Sequence, residues 1–266
     1  MGDALRAEYR KFTSTRMWWV LLIAMVGYLG FIAVVLTFSM TADVEGQPRP
    51  TLTGPDLAGA IYSLASPMGY VFALVIGSLA VIAEFRHKTI TSTLLVEPRR
   101  TLVVVAKMLA AVPIGALYGV IGTVTVVLGA APLLSWLGDG AFLTDGRIIE
   151  VIVLSMVVMV LWTALGVAFG TVVPNQVAAI VILLAFTQLV EPIARIALGA
   201  FDATSGVAKF LPGAAADGLI GTSFYSMMGA GATDLLPRWA GGVVLVAYIV
   251  ILAVVGRYTT FRRDIV

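Results

Sequence analysis

The chain has 266 residues, 60% of them hydrophobic and only 12% charged, with a mean hydropathy of +1.01. A water-soluble domain cannot hide that much apolar surface, so the bilayer is the expected solvent. With no cysteine and a single histidine, His87, the sequence excludes disulfides, thiolate metal sites and a cysteine nucleophile, and it leaves a His-based metal site or triad without partners; the formal charge of +2 says less than where the charges sit.

A spanning helix needs roughly 20 mostly apolar residues. Residues 1–16 precede the first such run, and in them Leu5, Tyr9 and Phe12 recur at i, i+4 and i+7 while Arg6, Arg10 and Lys11 fall elsewhere around the helix. The pattern predicts a helix lying in the membrane interface or, equally, a plain basic anchor. Residues 17–40 carry no charge over 24 positions and form the first span; the run is too long for the apolar region of a signal peptide and lacks a small-residue cleavage site. After a polar stretch, 57–83 is the second span, with a bend expected at Pro67 behind Ser66.

The loop at 84–100 follows. Its Thr/Ser cluster can cap a short helix, Leu94, Leu95 and Val96 come next, and Pro98 forces a stop before Arg99 and Arg100. Leucines beside paired arginines suit a docking element, because an idle apolar patch in water invites association; the alternative is a basic loop whose leucines dip into the interface. The third span, 108–137, contains Pro113 and Pro132, the fourth is 151–173, and Pro174, Asn175 and Gln176 signal a turn. The fifth, 177–198, carries Glu191, Pro192 and Arg195 near its end. Residues 199–238 are too interrupted to span, and 239–256 is the sixth span, bracketed by Arg238 and Arg257 with Trp239 and Tyr258 as anchors.

With these six spans, twelve of the 17 Lys and Arg fall on one side, together with both termini and the 84–100 loop, and five on the other; five of the 15 acids fall on the basic side and ten opposite. Positive charge stays inside, so both ends are expected in the cytoplasm.

Glu191 and Arg195 are four residues apart and share a helix face. They lie about 21 and 27 Å along the span from Val177 at about 1.5 Å per residue, which puts them in the outer leaflet of a core of roughly 30 Å. An ionisable pair there is a functional candidate, as a brace for an outer gate rather than a substrate site. Gly115-x-x-x-Gly119 and Gly166-x-x-x-Gly170 are weak signals of close helix packing. No G-x-x-x-x-G-K-[ST] phosphate loop occurs.

The loop residues Glu84, Phe85, Arg86, Thr89, Ile90, Leu94, Pro98, Arg99 and Arg100, with Lys107 beyond, resemble a signature of ABC-2-type transporter permeases, particularly actinobacterial ones. Glu8, Lys11, Arg16 and Trp18 are similar to the family's entry motif, and the run from Phe210 through Leu211, Pro212 and Gly213 to Ala215 is similar to its motif between the last two spans. Lys88 stands where the family often has glycine, and Ala214 where it has a second one. The resemblance covers the whole chain. It implies a type V exporter fold: an all-α polytopic membrane protein forming one transmembrane domain, with six spans, an N-terminal interfacial helix, a cytoplasmic coupling helix and re-entrant extracellular helices in 199–238.

By the same resemblance the chain is a permease subunit in a bacterial cell (inner) membrane. It pairs with a second permease copy, identical or paralogous, and with two copies of an ABC ATPase subunit that binds ATP and Mg. This chain itself carries no cofactor, is not an enzyme, and contacts membrane lipid but no nucleic acid. Glu84, Arg86, His87, Thr89, Ile90, Thr91, Leu94, Leu95, Pro98 and Arg99 would couple to the ATPase, with His87 a polar interface residue. Glu8, Lys11 and Arg16 belong to the interfacial helix, and Glu191, Arg195, Phe210, Leu211 and Pro212 are outer-gate candidates. The cargo is expected to be hydrophobic or amphipathic (a drug, lipid or peptide), and the direction export. An ion-coupled secondary transporter is the alternative, although its coupling-ion ligands at mid-membrane are not evident.

Overall fold

The computed structural model describes residues 2–42, 52–96, 99–224 and 235–260. Among them there is no strand, and six helical segments are long and apolar enough to cross a membrane: Met17–Thr41, Gly54–Arg86, Arg100–Leu137, Gly146–Val172, Gln176–Gly199 and Arg238–Thr259. The chain is an all-helical, multi-pass membrane protein.

The helices are α1 (Gly2–Ser14), α2 (Met17–Thr41), α3 (Gly54–Tyr62), α4 (Ala65–Arg86), α5 (Ile90–Val96), α6 (Arg100–Leu137), α7 (Gly146–Val172), α8 (Gln176–Ala185), α9 (Glu191–Gly199), α10 (Asp202–Ala208), α11 (Pro212–Ile220) and α12 (Arg238–Thr259). Hydropathy misplaces several ends, because an apolar run stops at the first charge whereas the backbone ladder continues. The second span starts at Gly54 and ends at Arg86 rather than covering 57–83, and the fourth starts at Gly146 rather than 151 because Asp145 caps it through the Arg147 N–H. The third begins at Arg100 rather than 108, so that Lys107 lies inside α6; its 38 residues run about 57 Å at about 1.5 Å per residue, well beyond a bilayer core.

Two prolines shape their spans. The second span breaks at Ser63 and Leu64, one turn ahead of Pro67, which has no N–H for the Ser63 carbonyl and whose ring crowds it. The fifth span carries a π-helical turn, Phe186–Val190, between α8 and α9, in which the Glu191 N–H reaches back to the Phe186 carbonyl. In that register the Thr187 carbonyl would pair with residue 192, and residue 192 is proline. Tyr70 on α4 supplies the missing donor, its hydroxyl 2.8 Å from the Thr187 oxygen.

The bundle is built around α7, which packs on α4, α6 and α12, while α2 lies on α6 and α4, and α8 touches α4. The α4–α7 seam is so close that a methyl at Gly77 would sit 2.2 Å from the Thr163 carbonyl oxygen and one at Gly166 2.2 Å from that of Leu74. Gly115 and Gly119 permit the same approach of α6 to α7 at Val160 and Met156. Both glycine motifs therefore lie on packed faces. At the core Trp162 packs against Tyr70 in a tilted arrangement, ring centroids 4.5 Å apart and planes at 43°.

Candidate functional site

Charged clusters stand towards opposite ends of the bundle. The first gathers α1, α4, α5 and α6. Hydroxyls of Thr13, Ser14 and Thr15 turn back onto carbonyls of the last turn of α1, ending it just before α2 begins. This holds α1 with Leu5 and Tyr9 exposed and Glu8 and Lys11 turned towards the bundle. Glu84, at the end of α4, is 4% exposed, and Lys107 on α6 is 2% exposed.

One Glu84 oxygen accepts from both Lys107 Nζ (2.5 Å) and Lys11 Nζ (2.9 Å), and the other accepts from the Thr93 hydroxyl of α5 (3.3 Å). Glu8 closes the ring, one oxygen at 3.0 Å from Lys11 and the other at 2.8 Å from Lys107. Two carboxylates thus neutralise two ammonium groups, and every carboxylate oxygen has a partner, the condition under which buried charge is tolerated. Partial burial pulls the Lys11 pKa down, but the hydrogen bond to Glu84 and the charges of Glu8 and Glu84 outweigh it and leave the group raised. Its contribution is therefore complete below the ordinary lysine range and is lost only as pH climbs through the raised value, so the pairing holds at neutral pH.

Helix α5 rides on this cluster. Lys88 turns the chain with φ of +56°, the left-handed conformation that glycine adopts at no cost, so the lysine makes the turn at the expense of strain. The Thr89 N–H then bonds the Glu84 carbonyl, and Ile90, 1% exposed, packs against Val103 and Val104 of α6. The opposite side is open: Thr91 is exposed and Leu95 is 80% exposed. Arg86 and His87 are exposed as well, with Arg86 donating to Gln176 of α8 at 2.7 Å. Arg99 is exposed, and Arg16 is exposed and lies outside the ring of ion pairs. Pro98 and the side chain of Leu94 lie outside the described residues.

The second cluster joins α9 to α11. Glu191 and Arg195 pair as their spacing predicts (3.0 Å), but Arg195 also reaches Asp217 of α11 at 2.8 Å, and the same Asp217 oxygen accepts from Ser223 at 2.8 Å. Glu191 receives the Gly213 N–H at the first turn of α11, where Pro212 fills the opening position. Glu191 and Asp217 are each 2% exposed. The pair is therefore part of a cluster spanning two helices, and the sequence gives no sign of Asp217 because no regular spacing links a residue 26 positions from Glu191 to one helix face. Leu211 is half-buried, and Phe210 stands outside the cluster, half-exposed, its carbonyl accepting from Tyr248 at 3.2 Å. Among the described residues the second Glu191 oxygen and the Trp162 ring N–H have no hydrogen-bond partner.

Among the described residues no group of three or more His, Cys, Asp or Glu is placed to hold a metal ion. No protein-family model matches the chain, and no curated protein matches it significantly.

Proposed function

We propose that the chain is the membrane-spanning subunit of an ATP-driven exporter of the ABC-2 type, working as a pair beneath which two separate ATPase subunits dock from the cytoplasm. The observation that carries this reading is α5: a short helix at the basic end of the bundle, anchored by Ile90, exposing Leu95, and tied through Thr93 and Glu84 to α1, α4 and α6 at once. A force applied to the outer side of such a helix moves three elements together, because the ion-paired ring leaves no free joint between them. The resemblance of residues 84–107 to the permease signature points the same way, and the basic end is the cytoplasmic one by the charge rule.

On this reading closure of the ATPase pair drives α5, the ring passes the motion to α4 and α6, and the cluster of Glu191, Arg195 and Asp217 braces the outer end of the route. Purifying the chain with and without a co-expressed candidate ABC ATPase tests the scheme. Hydrolysis is expected only in the complex, and hydrolysis by the chain alone would sink it.

One observation favours a second reading, an ion-coupled transporter: Glu191 is buried with an oxygen that no group among the described residues satisfies. Uptake into vesicles driven by a proton or sodium gradient without ATP would favour it over the first.

A further inference from the structure

A cavity of about 420 Å³ lies at the basic end, between α1, α4, α6 and the start of α8. That volume is within the range of roughly 300–1,000 Å³ typical of small-molecule sites. Its wall is apolar, made by Phe12, Ile76, Leu79, Ala83, Ile114 and Val167. Its polar residues include the ion-paired ring and, beside it, Arg86 and His87.

The charge of this rim can be counted. Glu8 and Glu84 are the carboxylates that line the cavity among the described residues, and both are consumed by Lys11 and Lys107. Among the described residues Arg86 is left with the neutral amide of Gln176 as its hydrogen-bond partner, so the rim carries one uncompensated positive charge. The N-terminus of α8, whose Asn175 cap takes the Ala178 N–H, adds a positive dipole end on the same side. An apolar wall with a cationic rim matches one class of molecule.

We infer that this cavity binds a single-chain anionic amphiphile, its alkyl tail against Leu79, Ala83 and Ile114 and its carboxylate or phosphate head at Arg86. Binding follows from the cavity alone; that the bound molecule is cargo rests on the transport reading above. The two can fail separately, since binding needs no ATPase.

The test uses the full chain in phosphatidylcholine nanodiscs and a diazirine-tailed alkyl phosphate, with labelled peptides mapped by mass spectrometry. Saturable labelling around Leu79, Ala83 and Ile114 is expected. Dodecyl phosphate should compete about tenfold better than dodecyltrimethylammonium, the size suited to one uncompensated charge near a protein surface. Ala83→Phe, which fills the cavity, should cut labelling by a similar factor, and Arg86→Gln, at an exposed position, should erase the preference for the anionic head while leaving the fold intact. Adding lysophosphatidylglycerol, a single-chain anionic lipid, to the discs separates the sources: loss of labelling assigns the site to a single-chain bilayer lipid and retention to a free amphiphile. Equal competition by the cation, or labelling no stronger than at the exposed Ile23 and Phe31 of α2 and unchanged by Ala83→Phe, overturns the inference.

Discussion

Lys107 shows how a charge can sit inside a spanning helix without being a site of its own. It is almost fully buried, yet it touches two carboxylates from two other helices. Removing one partner of such a group leaves the rest buried and uncompensated, which costs about 3–5 kcal/mol. Lys107→Met should therefore lower thermal stability by that order, whereas Lys107→Met combined with Glu84→Gln should cost clearly less than the sum of the two single changes. Additive losses in a thermal-unfolding assay would contradict the ring. Lys88 offers the opposite case. A left-handed lysine costs roughly 1–2 kcal/mol and glycine returns roughly 0.5–1 of that as chain entropy. Lys88→Gly should thus stabilise the protein by about 0.5–1 kcal/mol, and a lowered melting temperature would refute the strain. In the sequence Lys88 stands where the family it resembles often has glycine, and its backbone keeps the left-handed turn a glycine would make.

At the scale of elements, the spans were legible because each is a long apolar run, and their ends were not, because helices extend past the first charge when that charge finds a partner. Arg100–Lys107 is the plainest case: the polar start of α6 reads as loop by hydropathy and is helix because Lys107 has Glu8 and Glu84 to meet. Partners that distant in the chain leave no periodic trace. The interrupted end of span five was visible in Pro192, but the π-helical turn that accommodates it depends on Tyr70 from another helix. Glycine spacing was a weak signal in the sequence and becomes a strong one beside its neighbours. Gly166→Leu should separate α7 from α4 and cost about 3 kcal/mol, the upper end for overpacking, because the obstructing atoms belong to the Leu74 backbone and cannot swing away. Gly27→Leu, with no atom within 4 Å of the added carbon, should leave the melting temperature unchanged. Equal loss in the two variants would contradict the seam.

For the whole molecule, the arrangement of charges follows one logic: a basic end bearing a ring of ion pairs and an exposed short helix, an opposite end braced by Glu191, Arg195 and Asp217, and a core of glycine-packed helices joining them. Orientation can be read directly, since the chain has no cysteine to interfere. A single Thr91→Cys should react with an impermeant maleimide only when the cytoplasmic face is open, and a single Gly146→Cys only from outside; the reverse pattern would invert the molecule and remove α5 from reach of any cytoplasmic ATPase. The most direct measurement is retention of a co-expressed candidate ABC ATPase during affinity purification, comparing the natural sequence with Leu95→Asp. Leu95 is 80% exposed and holds nothing in the fold, so the variant should insert and remain as stable as the parent while losing the ATPase and the ATP hydrolysis that comes with it. Undiminished co-purification by Leu95→Asp would contradict the account.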